Sequence, residues 1–268
     1  MKRICYFFIV IFTLVLIFSG CRKEKEEVDY GLLKDNSLAE TSYDDALTMS
    51  NQASGGFVNF KSTGEILSNC AIVTIDLVSM PHLMTIDFGD TNCVCNDLKE
   101  RRGVIIVSFN GAYADSGTVI NIGFIDYFVN DNQVIGTKTV ENKGHNIDGH
   151  LWYSVSVDGA IIKAGTNDSI TWVSERTRTW IEGEGTINWF DDVYLIDGSA
   201  DGVSATGVQY HVEITTDLRR EIGCPHFVSG VLLITRPNKP DITVDFGNGD
   251  CDNVVTVVLN GTTYNYLL

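Results

Sequence analysis

Apolar and polar residues alternate over most of the chain, the period of a strand with one face on a core. Residues 104–109, 119–124, 153–157, 170–173 and 208–214 carry this period and are rich in the β-branched and aromatic side chains that suit a pleated surface. Asn110-Gly111, Asp158-Gly159, Asp197-Gly198 and Asn260-Gly261 read as tight reversals with positive φ between such runs. The last of them separates 254–259 from 262–268, so the chain is expected to end in a hairpin. A helical period occurs once. Ser37-Leu38-Ala39-Glu40 has the form of a capping box, and Leu38, Tyr43, Ala46 and Leu47 make an apolar stripe, which predicts a helix from about Leu38 to Ala53 ended by Gly55-Gly56. The stripe reads as a packing face against the strands.

Cysteines mark an internal repeat. Cys70 leads through Met80-Pro81-His82 to Asp87-Phe88-Gly89 and Cys93; Cys224 leads through Arg236-Pro237-Asn238 to Asp245-Phe246-Gly247 and Cys251. Each proline sits midway between its two cysteines, as the second residue of a type I or II turn would. Folding the chain back there sets each cysteine opposite its partner across an antiparallel ribbon, within disulfide range. Cys70–Cys93 and Cys224–Cys251 are therefore the expected bridges, each contributing about 3 kcal/mol on the chain-entropy estimate. Zinc would want paired Cys-x-x-Cys or His spacings that the chain lacks, and Cys95 is left over. The pattern as a whole predicts an all-β fold: an antiparallel β-sandwich, or two packed β modules with repeated disulfide-clipped hairpins, preceded by one short helix. In residue terms this is a helix in 37–56 and a β domain in 57–268. The β domain is either continuous or split into modules at about 57–140 and 205–268 with a β-rich middle.

The N-terminus changes the picture from fold to address. Lys2 and Arg3 precede an uncharged apolar run, and Ser19-Gly20-Cys21 follows, the build of a secretory signal over residues 1–20. Phe18-Ser19-Gly20-Cys21 resembles a bacterial lipobox, with Phe18 where Leu is commoner, which implies that Cys21 is lipidated and becomes the new N-terminus. An uncleaved anchor is the competing reading, since the run approaches the length of a spanning helix. Residues 21–36 then read as a charged tether, and Lys25-Glu26-Glu27 resembles the acidic signal that sends lipoproteins of the Bacteroidota to the outer face of the outer membrane. The expected location is thus the outer membrane, on its cell-surface or periplasmic face. The chain carries a formal net charge of −16, and loss of Lys2 and Arg3 with the signal makes the mature protein more acidic still. Such a surface repels phosphates, which argues against nucleic acid and anionic headgroups as partners.

The order of lipobox, Tyr43-Asp44-Asp45-Ala46, Cys-to-Asp-Phe-Gly hairpin, Trp172-Val173-Ser174-Glu175-Arg176-Thr177, Cys224-Pro225 and the Asp245-to-Asn253 segment resembles a group of uncharacterised Bacteroidota lipoproteins. The resemblance covers most of residues 40–268 and implies an exported, β-rich build without implying an activity.

Candidate chemistry is sparse. Asp250 and Asp252, with Asn248 and Asn253, alternate oxygen ligands around glycine as calcium sites do, but the twelve-residue loop with its closing Glu is missing, and the same residues make ordinary turns. Calcium at Asp250 and Asp252 is the one cofactor the sequence suggests. Asp168-Ser169-Ile170 resembles the O-glycosylation triplet of exported Bacteroidota proteins, which makes Ser169 a candidate acceptor. His145 and His150 flank an Asp-containing loop that reads as solvated. Glu175, Glu182, Glu184, Asp191 and Asp192 lie near Trp172, Trp180 and Trp189, the materials of a sugar-cleaving or sugar-binding face. No Gly-x-Ser-x-Gly, His-Glu-x-x-His or phosphate-binding glycine loop occurs. Two functions follow. The first is a lipid-anchored, non-enzymatic envelope lipoprotein with a binding, adhesion or structural role toward a protein or glycan. The second is a carbohydrate-active or other hydrolytic enzyme using the acids between Glu175 and Asp192. A deep pocket holding two of those acids would mark the second.

Overall fold

The computed structural model describes residues 27–54, 67, 69–186, 188 and 190–268. Cys21, the signal segment, Gly55-Gly56 and Trp189 lie outside the described residues. Among the described residues one helix, α1 (Tyr30–Ala53), is followed by fourteen strands. They are β1 (Ile72–Asp76), β2 (His82–Asp87), β3 (Cys93–Val94), β4 (Glu100–Phe109), β5 (Val119–Val129), β6 (Asn132–His145) and β7 (Leu151–Ile162). The second half comprises β8 (Ser169–Glu182), β9 (Val193–Val203), β10 (Gln209–Glu221), β11 (Ser229–Arg236), β12 (Lys239–Asn248), β13 (Val254–Leu259) and β14 (Thr262–Leu267). The fold is all-β, as the alternation predicts.

Every strand pairs antiparallel with its neighbour in sequence, except that two-residue β3 lies beside β4 and lets β2 pair with β4. The result is one continuous meander from β1 to β14 rather than two stacked sheets, and the strands expected as modules at about 57–140 and 205–268 fall at its two ends. The place of a second sheet is taken by α1. It lies against β4–β8, while Tyr30 at its start stacks on Tyr266 of β14 with ring centroids 4.8 Å apart, so the sheet curls about the helix from both sides. A sheet this wide must coil, and glycine lets it. At Gly230 of β11, with φ +107°, a Cβ would sit 2.4 Å from the Asp217 carbonyl oxygen of the adjoining strand, so no other residue permits that bend.

The helix is longer than the capping box implied. Asp29 is the N-cap and its Oδ1 accepts from Leu32 N at 3.0 Å, so the helix starts at Tyr30 and absorbs the end of the expected tether. Ser37 and Glu40 lie inside it. Glu40 is taken by Arg176 of β8, and that tertiary partner displaces the local cap. Few surfaces of α1 meet water: Asp35, Asn36, Ser42, Asp45 and Ser50 are buried with Leu32, Tyr43, Ala46, Leu47 and Met49. Small hydroxyls survive there by bonding back one turn, Ser42 Oγ to Leu38 O at 2.6 Å and Ser50 Oγ to Ala46 O at 2.7 Å.

Both expected disulfides are present, with Cα–Cα distances of 5.5 Å for Cys70–Cys93 and 5.8 Å for Cys224–Cys251, and Cys95 is a free, buried thiol. The hairpins behind them differ. Pro237-Asn238 forms the two-residue β11–β12 loop with Asn238 at φ +57°, whereas the β1–β2 loop is longer, Met80-Pro81 is cis, and Asp76 Oδ1 accepts from Val78 N and Ser79 N. The repeated Asp-Phe-Gly has one structural meaning in both copies. Asp87 and Asp245 each accept from the Gly N two residues on, both at 2.8 Å; Gly89 and Gly247 take φ of +76° and +88°; Phe88 and Phe246 enter the core.

Of the four expected reversals only Asn260-Gly261 is a two-residue turn with positive φ at both positions. Asp158-Gly159 and Asp197-Gly198 lie inside β7 and β9, and Asn110-Gly111 opens a longer β4–β5 loop in which Asn110 Oδ1 accepts from Val119 N. Gly159 is there for space: a Cβ would fall 2.0 Å from Tyr43 Oη and 2.3 Å from Ile135 O, where the phenol hydroxyl donates to Ile135 O at 2.7 Å. The tight turn that went unpredicted is Asn130-Asp131, with φ of +49° and +62°, between β5 and β6.

Candidate functional site

The strands β4–β8 turn a cationic face toward α1. Arg101, fully buried, donates to Asp45 and Asp97, both at 2.6 Å. Lys99 reaches Asp45 at 2.7 Å, Lys138 reaches Asp44 at 2.9 Å, Lys163 reaches Asp35 at 2.7 Å, and Arg176 reaches Glu40 at 3.2 Å. Asp35 also accepts from Ala205 N at 2.8 Å, and Asn36 from Trp172 Nε1 at 3.3 Å. Buried charges stay ionised only when paired in this way. Burial would raise the carboxyl of Asp44, yet Lys138, with Arg178 and Arg220 behind it, holds it below the usual carboxylate range. Asp97 behaves likewise, Arg101 outweighing burial. The same surroundings push the Tyr43 hydroxyl above its ordinary value, through burial first and then Asp158, so it remains a donor.

The C-terminal strands turn a different face inward. Leu232 and Ile234 of β11, Val244 and Phe246 of β12, and Val255 of β13 are apolar and buried, while Arg236, buried at the end of β11, donates to Pro240 O at 2.8 Å. They do not close on the helix. Between them and α1 lies a cavity of about 520 Å³, whose far wall is the face of α1 carrying Asn36, Ser37, Glu40, Thr41, Asp44 and Thr48. Its origin is a mismatch. Ion pairs pin one side of α1 to β4–β8, and the side left facing β11–β13 is polar, so the apolar wall has nothing to pack on. The β10–β11 connection rims the space with Ile222, His226 and Phe227, and Cys224, tied to Cys251, anchors that connection.

Arg220, at the end of β10, also lines the cavity. Its Nη1 donates to Cys224 O and to His226 O, the latter at 3.2 Å, and its side chain forms no ion pair among the described residues. Burial and the nearby Arg178 press its pKa down while Asp44 supports the charge. His226 is likewise pushed below the ordinary histidine value by burial and then by Arg220, and is neutral at pH 7.

The carboxylates singled out in the sequence do not assemble. Glu175 points outward from β8, Glu182 bonds Arg219 at 2.7 Å, Glu184 meets His145 Nε2 at 3.0 Å, Asp191 accepts from Thr186 Oγ1 at 2.9 Å, and Asp192 is buried. None of the five lines the cavity, and Trp172 and Trp180 are core residues. Of the expected calcium ligands, Asp252 Oδ1 accepts from Val254 N at 2.9 Å and Asp250 is exposed, a turn arrangement; among the described residues no three His, Cys, Asp or Glu side chains group as a metal site would require. Ser169 is exposed at the start of β8. No helix among the described residues is long and apolar enough to cross a membrane.

The cavity residues were missed because sequence reasoning looked for clustered chemistry. The available signal was the contrast in inward positions, with Arg, Lys, Trp and Tyr interrupting the apolar set on β4–β8 and only Arg236, at the end of β11, doing so on β11–β13. The chain matches no protein-family model, no curated protein and no solved structure.

Proposed function

We propose that this is a lipid-anchored envelope protein that binds a small ligand without transforming it, with the cavity between α1 and β11–β13 as the binding site. The observation that carries the reading is the cavity itself. A volume of about 520 Å³ with an apolar wall and a few convergent polar groups has the size and make-up of a ligand pocket. The hydrolytic alternative required two of the acids between Glu175 and Asp192 in a deep pocket, and the pocket is lined by others, each already held by a basic partner. A lipidated Cys21 would set this site close to the bilayer, because eight residues separate it from the start of α1 and extended chain spans at most about 3.5 Å per residue. The outer membrane is the proposed location, on the strength of the lipobox-like junction and Lys25-Glu26-Glu27.

Two measurements test this. The Cys21→Ala chain should lose detergent-phase partitioning; cleavage after Gly20 with continued membrane attachment would overturn the anchor. Wild-type protein extracted from its own membrane should release a small molecule on denaturation that the cavity-filling variant Val244→Trp, folded by circular dichroism, does not. Equal recovery from both would remove the cavity from the function.

A further inference from the structure

We propose that the ligand is a single-chain amphiphile with an anionic head, its acyl chain along β11–β13 and its head at Arg220; this rests on the cavity being a binding site. Shape is the first argument. The α1 residues that line the cavity run from Leu33 to Thr48, which at 1.5 Å per residue is about 22 Å, so the space is extended along the helix rather than round. One long wall is apolar throughout, and a ligand lying on it must be apolar for most of its length.

Charge is the second argument, and it runs against the acidity of the chain as a whole. Five acids face the interior around α1, namely Asp35, Glu40, Asp44, Asp45 and Asp97, and each lies within ion-pair distance of Lys99, Arg101, Lys138, Lys163 or Arg176. Arg178 and Arg220 are additional. Arg178 lies over the Tyr194 ring at 3.7 Å, and Arg220 bonds only backbone carbonyls. Around α1 the cations therefore outnumber the acids although the chain as a whole is acidic, and charges farther off than a Debye length of about 8 Å are screened by salt. The acids on the polar wall cannot recruit a cationic head, since they are already neutralised. Arg220 can recruit an anion. Its Nε and Nη2 make no hydrogen bond among the described residues, and that edge of a guanidinium is the geometry that grips a carboxylate or phosphate with two parallel hydrogen bonds. Neutral His226 beside it adds no competing charge, and the like charge of Arg178 makes an anion at this point more favourable.

A free fatty acid and a lysophospholipid share this chemistry, and titration separates them. The Cys21→Ser chain would be titrated at pH 8 with palmitate, palmitoyl-lysophosphatidylglycerol, hexadecanol and hexadecyltrimethylammonium. Palmitate or the lysophospholipid should bind tightest, whichever does so identifying the head as carboxylate or phosphate. Arg220→Gln should weaken that ligand roughly ten- to hundredfold while leaving hexadecanol unchanged, as loss of a charge-assisted pair predicts, and Arg220→Lys should recover part of the loss. Val244→Trp should weaken all chains alike. If the ammonium or the alcohol binds as tightly as the anions and Arg220→Gln changes nothing, the head assignment is wrong although the cavity still binds. If no chain binds, or Val244→Trp leaves binding intact, the cavity reading fails with it.

Discussion

The two halves of the sheet meet the same helix in opposite ways. On β4–β8 the inward positions are mixed, and Arg101, Lys138, Arg176 and Trp172 find partners on α1. On β11–β13 the inward positions that line the cavity are apolar, and the helix face opposite offers hydroxyls, an amide and paired carboxylates. A polar helix can be buried only where the sheet supplies its counter-charges. Where the sheet supplies only hydrocarbon, helix and wall stay apart and a cavity results. The cationic half thus positions the helix, and the apolar half is left free for a ligand.

The largest expected effect breaks the cationic half. Asp45→Ala leaves the fully buried Arg101 with one carboxylate partner in place of two, and the loss should be about 3–5 kcal/mol in urea unfolding, the range for a buried pair broken on one side. A loss below about 1 kcal/mol would mean that water reaches this pair and that the helix is held by something else.

Overpacking sharpens the contrast. Val155→Phe on β7 adds volume where α1 and the sheet already touch and should cost about 1–3 kcal/mol, as should Gly159→Ala, whose Cβ meets Tyr43 and the Ile135 carbonyl. Val244→Phe projects into the cavity and should be neutral within about 1 kcal/mol. Equal costs in chemical denaturation would mean that the two halves are packed alike.

The smallest effect is a pH dependence confined to the cationic half. The folded-state carboxyls of Asp44 and Asp97 are depressed, so their contribution is fully present above the ordinary aspartate value of about 3.9 and is lost as pH falls through the lower folded values. Melting temperature should hold between pH 7 and about pH 4.5 and fall below about pH 4. Asp44→Asn should flatten part of that fall, and an unchanged acid limb would detach Asp44 from it.

Much of this was readable in one dimension because it depends on near neighbours in sequence. Strand alternation, the Asn260-Gly261 turn and the Pro237 hairpin are short-range, and the two Asp-Phe-Gly copies announce their disulfides by symmetry about a proline. Ser37 and Glu40 misled for a complementary reason. They satisfy a local capping rule, but Glu40 gains more from Arg176, 136 positions away, than from a backbone amide beside it. Gly159 and Gly198 misled in the same way, since next to an Asp they look like turns, and only the close approach of Tyr43 or a neighbouring strand explains them.

By itself, then, the sequence determined that the chain is antiparallel β with a leading helix, which cysteines pair, and where the Pro237 and Asn260-Gly261 hairpins turn, all consequences of bonding within a few residues or across one hairpin. That the strands join in one coiled sheet, that it curls about α1, and that Arg220 has no ion-pair partner among the described residues beside an apolar space were decided in three dimensions. Ion pairing and side-chain packing act on groups brought together from opposite ends of the chain, and periodicity along a strand records that a face is buried without recording what it is buried against.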